Sequence, residues 1–391
     1  MNIKSIAPKY KDYIIELRRH FHKYPEQSLQ EFETSKKIRS ELDKLGIPYK
    51  VSSSTGTGIL ATIEGGKSGK TIALRADIDA LPVTECNLID YKSKISGYMH
   101  ACGHDGHMAS LLGAARILKD IQAELSGTVK LIFQPGEEAG SGAKTLVTEG
   151  FLDGVDSVFG IHLIPDIDCG KISIEGGPRM ASSDRFKITV KGKSGHGAKP
   201  NLAVDALVVA SAIVLNLQSI VSREVDPLEP LVVSIGTMTA GTQYNIIADT
   251  AVLHGTTRCF NNEIRKNIPH ALKRIIQSTA RSYKAEAELE YDFTVPPVIN
   301  DYTLALIGRH AVEEILSRDA VADKMTFLIS EDFSEYLQEV PGIFALVGAR
   351  NPEKDAIYSL HNDRFNIDED ALQISSSLYA EYAYEYLENS K

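Results

Sequence analysis

Residues 127–163 read GTVKLIFQPGEEAGSGAKTLVTEGFLDGVDSVFGIHL. The apolar run Val129–Phe133 stops at Pro135 and Gly136, a Gly-rich turn leads into a helical pattern, and DSVFGIHLIPD begins a second apolar strand expected to end at His162. A strand, a helix and another apolar strand form the repeat of a parallel sheet, whose crossovers need helices. The same alternation extends outward. Two helical patterns occupy residues 9–45, with Pro25 breaking the first, and short strands are expected near 58–64 and 71–76. A helix is expected from about Asp105, with that residue as N-cap, because Met108, Leu111, Leu112 and Ala115 share one helical face. Residues 1–178 are therefore expected to form an α/β domain with a mostly parallel sheet and helices on both faces.

Polar groups cluster where these strands stop. Glu137 and Glu138 are adjacent acids that repel one another unless positive charge lies beside them, which a metal cluster supplies; one would ligate while the other serves a bound water as base. An acidic helix N-terminus favoured by the macrodipole is the plainer alternative. Asp77 and Asp79 in RADIDALP end a buried strand and face a crevice, or else serve the turn at Pro82. In GYMHACGHDGHMASLLGAARIL, residues 97–118, Cys102, His104 and His107 crowd a loop that runs into a helix. Thiolate and neutral imidazole together suit a divalent ion, while capping histidines beside a core cysteine remain the other reading. Arg18, Arg19, His20 and His22 include an HxH pair, expected at the surface or behind the ligands because no acid accompanies it.

From Arg185 the rhythm changes to strand, helix, strand, strand, helix, strand, the ferredoxin-like split pattern of a four-stranded antiparallel sheet backed by two helices. Apolar strands and helices then resume, including FALVGA, with His361 in the loop SLHNDRF. The expected organisation is a catalytic domain in two parts, 1–178 and 296–391, interrupted by an inserted α+β lid domain at 179–295. The lid carries His196 in a Gly-rich turn, Asn245 between strands and Arg258 near a strand end. Arg suits a carboxylate and His a developing oxyanion, though a surface ion pair and turn residues are the bland readings.

The 391 residues, 43% hydrophobic and 24% charged with net charge −10, describe a globular chain long enough for two domains. Neither a nucleic-acid nor a membrane partner is expected from that charge. Cys86, Cys102, Cys169 and Cys259 make no CxxC pair, the N-terminus turns charged before any signal-like apolar core, and the longest apolar run, Leu207–Leu215, is too short for a bilayer. An intracellular, cytoplasmic protein is expected.

The ordered set RRHFHKYPE, RADIDALP, MHACGHDGH, QPGEEAGSGA, GIHL, GKSGHGAKP, GTTRCF, SEDFS and SLHNDRF resembles the dinuclear aminoacylase-type metallopeptidase family over nearly the whole chain. The match is to its amidohydrolase branch, which includes hippurate hydrolases, auxin-conjugate hydrolases and N-acetyldiaminopimelate deacetylases. The resemblance implies that Cys102, His104, Glu138, His162 and His361 hold two divalent ions, with zinc, manganese, cobalt and nickel all suited to mixed sulfur, nitrogen and oxygen ligands. It implies Glu137 as general base and Asp79 as a supporting acid. It also implies that His196, Asn245 and Arg258 contact substrate, some reaching the neighbouring subunit's site in a homodimer formed through the lid. Asn201 and Ala248 depart from the histidine and proline frequent in relatives, which bears on fine specificity.

The reaction so implied is hydrolysis of the amide of an N-acyl-amino acid through a metal-bound hydroxide, with His196 stabilising the oxyanion and Arg258 holding the carboxylate. A dipeptidase or carboxypeptidase using the same site is the near alternative. A cysteine-nucleophile hydrolase built on Cys102 and a non-catalytic metal-binding relative are the distant ones, and both leave the second Glu unexplained.

Overall fold

The run Val129–Phe133, buried except at Lys130, is the middle of a strand, Ser126–Gln134, in the computed structural model of the protein, which describes residues 3–389. This strand lies parallel to Lys67–Asp77, with Leu131 opposite Leu74 and Gln134 opposite Asp77. Lys67–Asp77 is parallel to Ser157–Asp168, which is parallel to Gly342–Arg350. These four strands are the centre of a seven-stranded sheet whose edges, Tyr49–Val51 with Ile59–Glu64 on one side and Ile172–Ser173 on the other, join antiparallel. Successive residues of the central strands are buried on both faces, as covered parallel strands require: Val158 to Leu163 and Ile343 to Val347 are wholly or nearly inaccessible. Helices His104–Asp120 and Asp370–Glu388 belong to the same core. They approach closely at Gly113, where a Cβ would stand 2.5 Å from Ser376 Oγ and 2.7 Å from Ile14, so only glycine fits.

Three local expectations are corrected. Asp105 is not the N-cap: the helix begins at His104, after Gly103 in the left-handed region at φ +89°, and Asp105 is buried in its first turn. The strand through His162 does not end there but runs to Asp168, because Gly342–Arg350 continues to pair with it after the Lys67–Asp77 partner has stopped at Gly160. The apolar stretch at Leu207–Leu215 belongs to a longer helical segment, Ala206–Glu224, which is long and apolar enough by composition to cross a bilayer. One side of it, through Val209, Ile213, Leu217 and Ile220, packs into the core of the second unit.

By its internal contacts the chain forms one unit from Met1–Gly177, Ile299–Met325 and Asp332–Lys391, and a second from Pro178–Val298 with Thr326–Glu331. Thr326–Glu331 lies within the segment 296–391 that the sequence assigns to the first domain. It belongs to the second because the Ala181 N–H reaches the carbonyls of Phe327 and Ile329, each at 3.0 Å, a pairing that leaves no mark on hydropathy. Residues 1–2 and 390–391, at the outer ends of the expected catalytic domain, lie outside the described residues.

In the second unit the strands Ser183–Lys191, Leu231–Ala240, Thr250–Cys259 and Glu286–Val295 alternate with helices Ala206–Ser219 and Asn262–Ser282 in ferredoxin-like order. All neighbours are antiparallel, in the spatial order 231–240, 250–259, 183–191, 286–295. Asp205 and Asn261 cap the two helices through their side-chain oxygens. Phe186, Ile188 and Val190 alternate toward the helices, as a one-sided sheet requires.

Candidate metal centre

Within the first unit, four segments far apart in sequence, at Cys102–His104, Glu137–Glu138, His162 and His361, deliver donors to one place. Cys102 Sγ lies 3.5 Å from His162 Nε2, and Glu138 Oε1 lies 3.3 Å from His361 Nε2. The ligand atoms of Cys102, His104 and His162 all fall within 4.8 Å of one another, as do those of Cys102, Glu138 and His361 and those of His104, Glu137 and Glu138. Overlapping triplets that share Cys102, His104 and Glu138 describe two neighbouring cation positions rather than one.

Hydrogen bonds sort the imidazole nitrogens. His104 Nδ1 is 2.9 Å from the Asp79 carbonyl oxygen, which can only accept, so Nδ1 carries a proton and Nε2 is the nitrogen left for a cation to take. That Nε2 is buried without a hydrogen-bond partner, and Glu138 Oε1, though 3.3 Å from His361 Nε2, makes no well-aligned hydrogen bond. Buried polar atoms left unbonded are costly, and a cation between them removes the cost. His162 Nδ1 likewise donates to the Leu163 carbonyl at 2.9 Å, freeing Nε2 toward Cys102. His361 adopts a left-handed backbone, φ +65°, fixed by its N–H on the Ala101 carbonyl at 2.8 Å.

The protein's own charges indicate the sign of what belongs here. Burial pushes the Cys102 thiol well above its usual pKa, and Glu138, Glu137 and Asp77 push the same way. Burial opposes a charged His104, yet Asp77, Asp79 and Glu138 outweigh it and raise the ring to about 10. Burial, with His107 beside it, holds His162 well below the usual range and so neutral. Too many acids for the positive charge present, one neutral imidazole and a thiol awaiting a counter-ion are the donor chemistry of a transition-metal site.

A further set of groups holds the donors. His107, grouped with Cys102 and His104 on sequence, is not a ligand: its Nδ1 donates to Asp77 Oδ1 at 2.7 Å and its Nε2 accepts the Leu163 N–H at 2.9 Å, so both nitrogens are used. Asp77 also takes Arg75 Nη1 at 2.8 Å, and Arg75 Nη2 reaches Asp332 at 3.0 Å. Asp79 accepts from the Glu138 N–H at 3.0 Å while its Oδ1 lies 3.2 Å from His104 Nδ1, tying two donor segments together. His22 lies between Asp105 at 2.7 Å and Glu85 at 3.2 Å, and Arg18 reaches Asp105 at 2.8 Å, bracing the turn that carries His104. Asp79→Asn, which keeps the shape but weakens the acceptor behind His104, is expected to lower metal affinity about 10- to 100-fold, measured by competition with a chelating dye.

Arg75 could have been found from sequence, since it precedes Asp77 by two on a strand and shares its face. Asp332 could not, because only tertiary contact brings SEDFS to the strand ends.

In the second unit, His196 is exposed and its Nδ1 accepts the Ala198 N–H at 3.0 Å, so Nε2 carries the proton and faces outward as a donor. Asn245 is its neighbour: the Gly197 N–H donates to the Asn245 carbonyl at 2.9 Å, and Ile246 pairs with His196. Arg258 is not brought to them. It lies opposite Val232, with Nη1 3.4 Å from the Leu328 carbonyl, whereas the His196 turn follows Lys191, opposite Thr250. The eight positions from Thr250 to Arg258 span roughly 26 Å of strand. Asn201 is exposed in the short turn Pro200–Leu202, and Ala248 is buried.

Known proteins resemble this chain over most of its length. The model of "Peptidase family M20/M25/M40" matches residues 73–385. An N-acetylcysteine deacetylase of Bacillus subtilis (strain 168) is 41% identical over 378 residues, covering 97% of this chain and 98% of that protein. A thermostable carboxypeptidase 2 of Saccharolobus solfataricus is 40% identical, covering 97% of this chain and 96% of its own. A crystal structure of a dinuclear metal-binding M20-family peptidase from Bacillus subtilis superposes with a TM-score of 0.88 at 37% identity, covering 97% and 99% of the two chains. The chain belongs to the peptidase family M20/M25/M40 and is a metal-dependent amidohydrolase of that family.

Proposed function

We propose that this enzyme hydrolyses the amide bond of N-acyl-amino acids, releasing a carboxylic acid and a free amino acid. Cys102, His104, Glu138, His162 and His361 would hold two divalent ions, drawn from zinc, manganese, cobalt or nickel. The ions, when bound, supply Lewis-acid polarisation of a carbonyl and acidification of solvent. The observation that carries the reading is the triplet of His104, Glu137 and Glu138: a second carboxylate stands beside the ligand pair, where a structural site would need none. Glu137 takes the proton of the attacking water and returns it to the leaving nitrogen as the C–N bond breaks. The His196 Nε2–H donates to the tetrahedral oxyanion, Arg258 pairs with the amino acid's carboxylate, and Asn245 contacts substrate beside His196.

His196, in the turn beyond Lys191, and Arg258, near the other end of the four-stranded sheet, would meet one small substrate by coming from different subunits. A homodimer through the lid follows from this reading. Apolar residues exposed on the Ala206–Glu224 segment support it, Leu215 at 73% and Val208 at 46% among them. The four free cysteines suit a cytoplasmic protein. Carboxypeptidase action is the second reading, supported by the 40% identity to a carboxypeptidase, since Arg258 would hold a peptide's terminal carboxylate equally well. A release assay over acetyl-, benzoyl- and succinyl-amino acids and dipeptides, with protein of measured metal content, tests both. Turnover of the acyl-amino acids is expected; turnover of dipeptides alone would select the second reading, and none at all would leave a non-catalytic relative.

A further inference from the structure

The segment Gln27–Glu31 lies before the first strand of the sheet and contributes none of the candidate ligands, yet it touches the chain on both sides of Glu137. Glu31 is completely buried, and its Oε1 accepts the Gly136 N–H at 3.0 Å and the Leu29 N–H at 2.6 Å, while its Oε2 accepts the Thr57 hydroxyl at 2.9 Å. Gly136 is the residue immediately before Glu137. On the other side, the Ser28 hydroxyl donates at 2.7 Å to Asp79 Oδ2, the same oxygen that accepts the N–H of Glu138 at 3.0 Å.

The segment is itself held in an unusual shape. Leu29 has φ +64°, uncommon for a residue with a branched side chain, and Gly136 faces it at φ +65°. A Cβ on Gly136 would stand 2.7 Å from Leu29 Cδ2, so the two left-handed residues are fitted against one another. The anchorage behind them is firm: the Ala80 N–H donates to the Glu26 carbonyl at 2.8 Å, and the Glu26 carboxylate caps the following helix through the N–H groups of Glu33 and Thr34 at 3.2 and 2.8 Å. Strain held by this many bonds is characteristic of a site whose geometry matters.

We propose that Ser28 and Glu31 are positioning residues that clamp the Gly136–Glu138 backbone and thereby set the direction in which Glu137 projects. The inference rests on the reading of Glu137 as the general base. Glu31 orients the peptide entering Glu137, and Ser28, through Asp79, orients the peptide leaving it. Neither touches substrate. A general base works over hydrogen-bond distances, so a displacement near 1 Å costs on the order of 100-fold in rate.

The test compares Glu31→Ala, Glu31→Gln and Ser28→Ala in the full-length, metal-loaded enzyme, recording kcat, KM, metal content and thermal midpoint. Glu31→Ala is expected to lower kcat by about 10- to 100-fold with KM within about twofold and metal content unchanged. Ser28→Ala, which removes one hydroxyl, should act in the same direction more weakly. Glu31→Gln should recover most of the rate, because the amide oxygen still accepts from Gly136 and Leu29. Burial, with Asp79 nearby, raises Glu31 to about 7, so its pocket already admits the neutral acid that glutamine imitates. In Glu31→Ala/Glu137→Gln the first substitution should add almost nothing to the second, since it acts through a group already disabled. Wild-type kcat in both Glu31→Ala and Ser28→Ala overturns the proposal. So does a loss that tracks metal content or thermal midpoint and that glutamine does not rescue, and so does full additivity in the double variant. Should Glu137→Gln itself prove active, the base assignment fails first; an inactive Glu137→Gln beside a fully active Glu31→Ala removes the clamp alone.

Discussion

Glu137→Gln is expected to retain its metal and lose its turnover. Glutamine has the shape of glutamate and keeps an oxygen for the Asp332 N–H, which lies 3.4 Å from Glu137 Oε1. The neighbouring ligand segment, fixed by Asp79 on the Glu138 N–H, should not move. What is lost is proton affinity: an amide oxygen neither takes a proton from water near neutral pH nor returns one to an amine. General-base catalysis contributes about 100- to 10,000-fold, and here one group would serve both transfers, so kcat should fall by at least that factor while KM stays within a few-fold. Elemental analysis of the purified variant beside its rate constant makes the measurement. An active variant with full metal content would remove Glu137 from the base role, and an inactive one that has lost metal would make it a ligand.

The second large effect is expected from removing the ions. Dialysis against a chelator should bring activity to background, and titration with a divalent salt should restore it. The same treatment should lower the thermal midpoint, because ions that bind only the folded chain stabilise it by about 4 kcal/mol at a thousand-fold excess over Kd. The buried cluster explains why. Cys102, Glu138 and Asp77 place acidic groups together, and without cations the thiol stays protonated and His104 takes up a proton instead. Activity that survives exhaustive chelation would favour Cys102 as a nucleophile. The structure opposes that role: a buried thiol whose pKa is pushed up is a poor attacking group. Alkylation could not decide the matter, since Cys102 is needed on either view.

Much of the architecture is legible in the sequence, for a physical reason. Strands buried on both faces are apolar along their length, and lid strands buried on one face must alternate, so Ile343–Val347 and Phe186–Ile188–Val190 announce their environments residue by residue. Strand length was less legible. The continuation past His162 depends on a partner, Gly342–Arg350, that begins 180 residues after it, and local periodicity carries no trace of such pairing.

By itself, the sequence determined which chemistry was available: a thiol, several imidazoles and paired carboxylates at the ends of strands, set in two alternating patterns of hydropathy. Tertiary structure alone decided which of these groups meet and in what protonation state. His104 and His107 are three residues apart on one helix and look alike in sequence. One faces the Asp79 carbonyl and leaves its Nε2 for a cation to take; the other has both nitrogens taken, by Asp77 and by the Leu163 amide. The difference lies in acceptors and donors supplied by distant strands. An imidazole's role is set by the partner of its second nitrogen, and that partner is chosen by the packing of the whole domain.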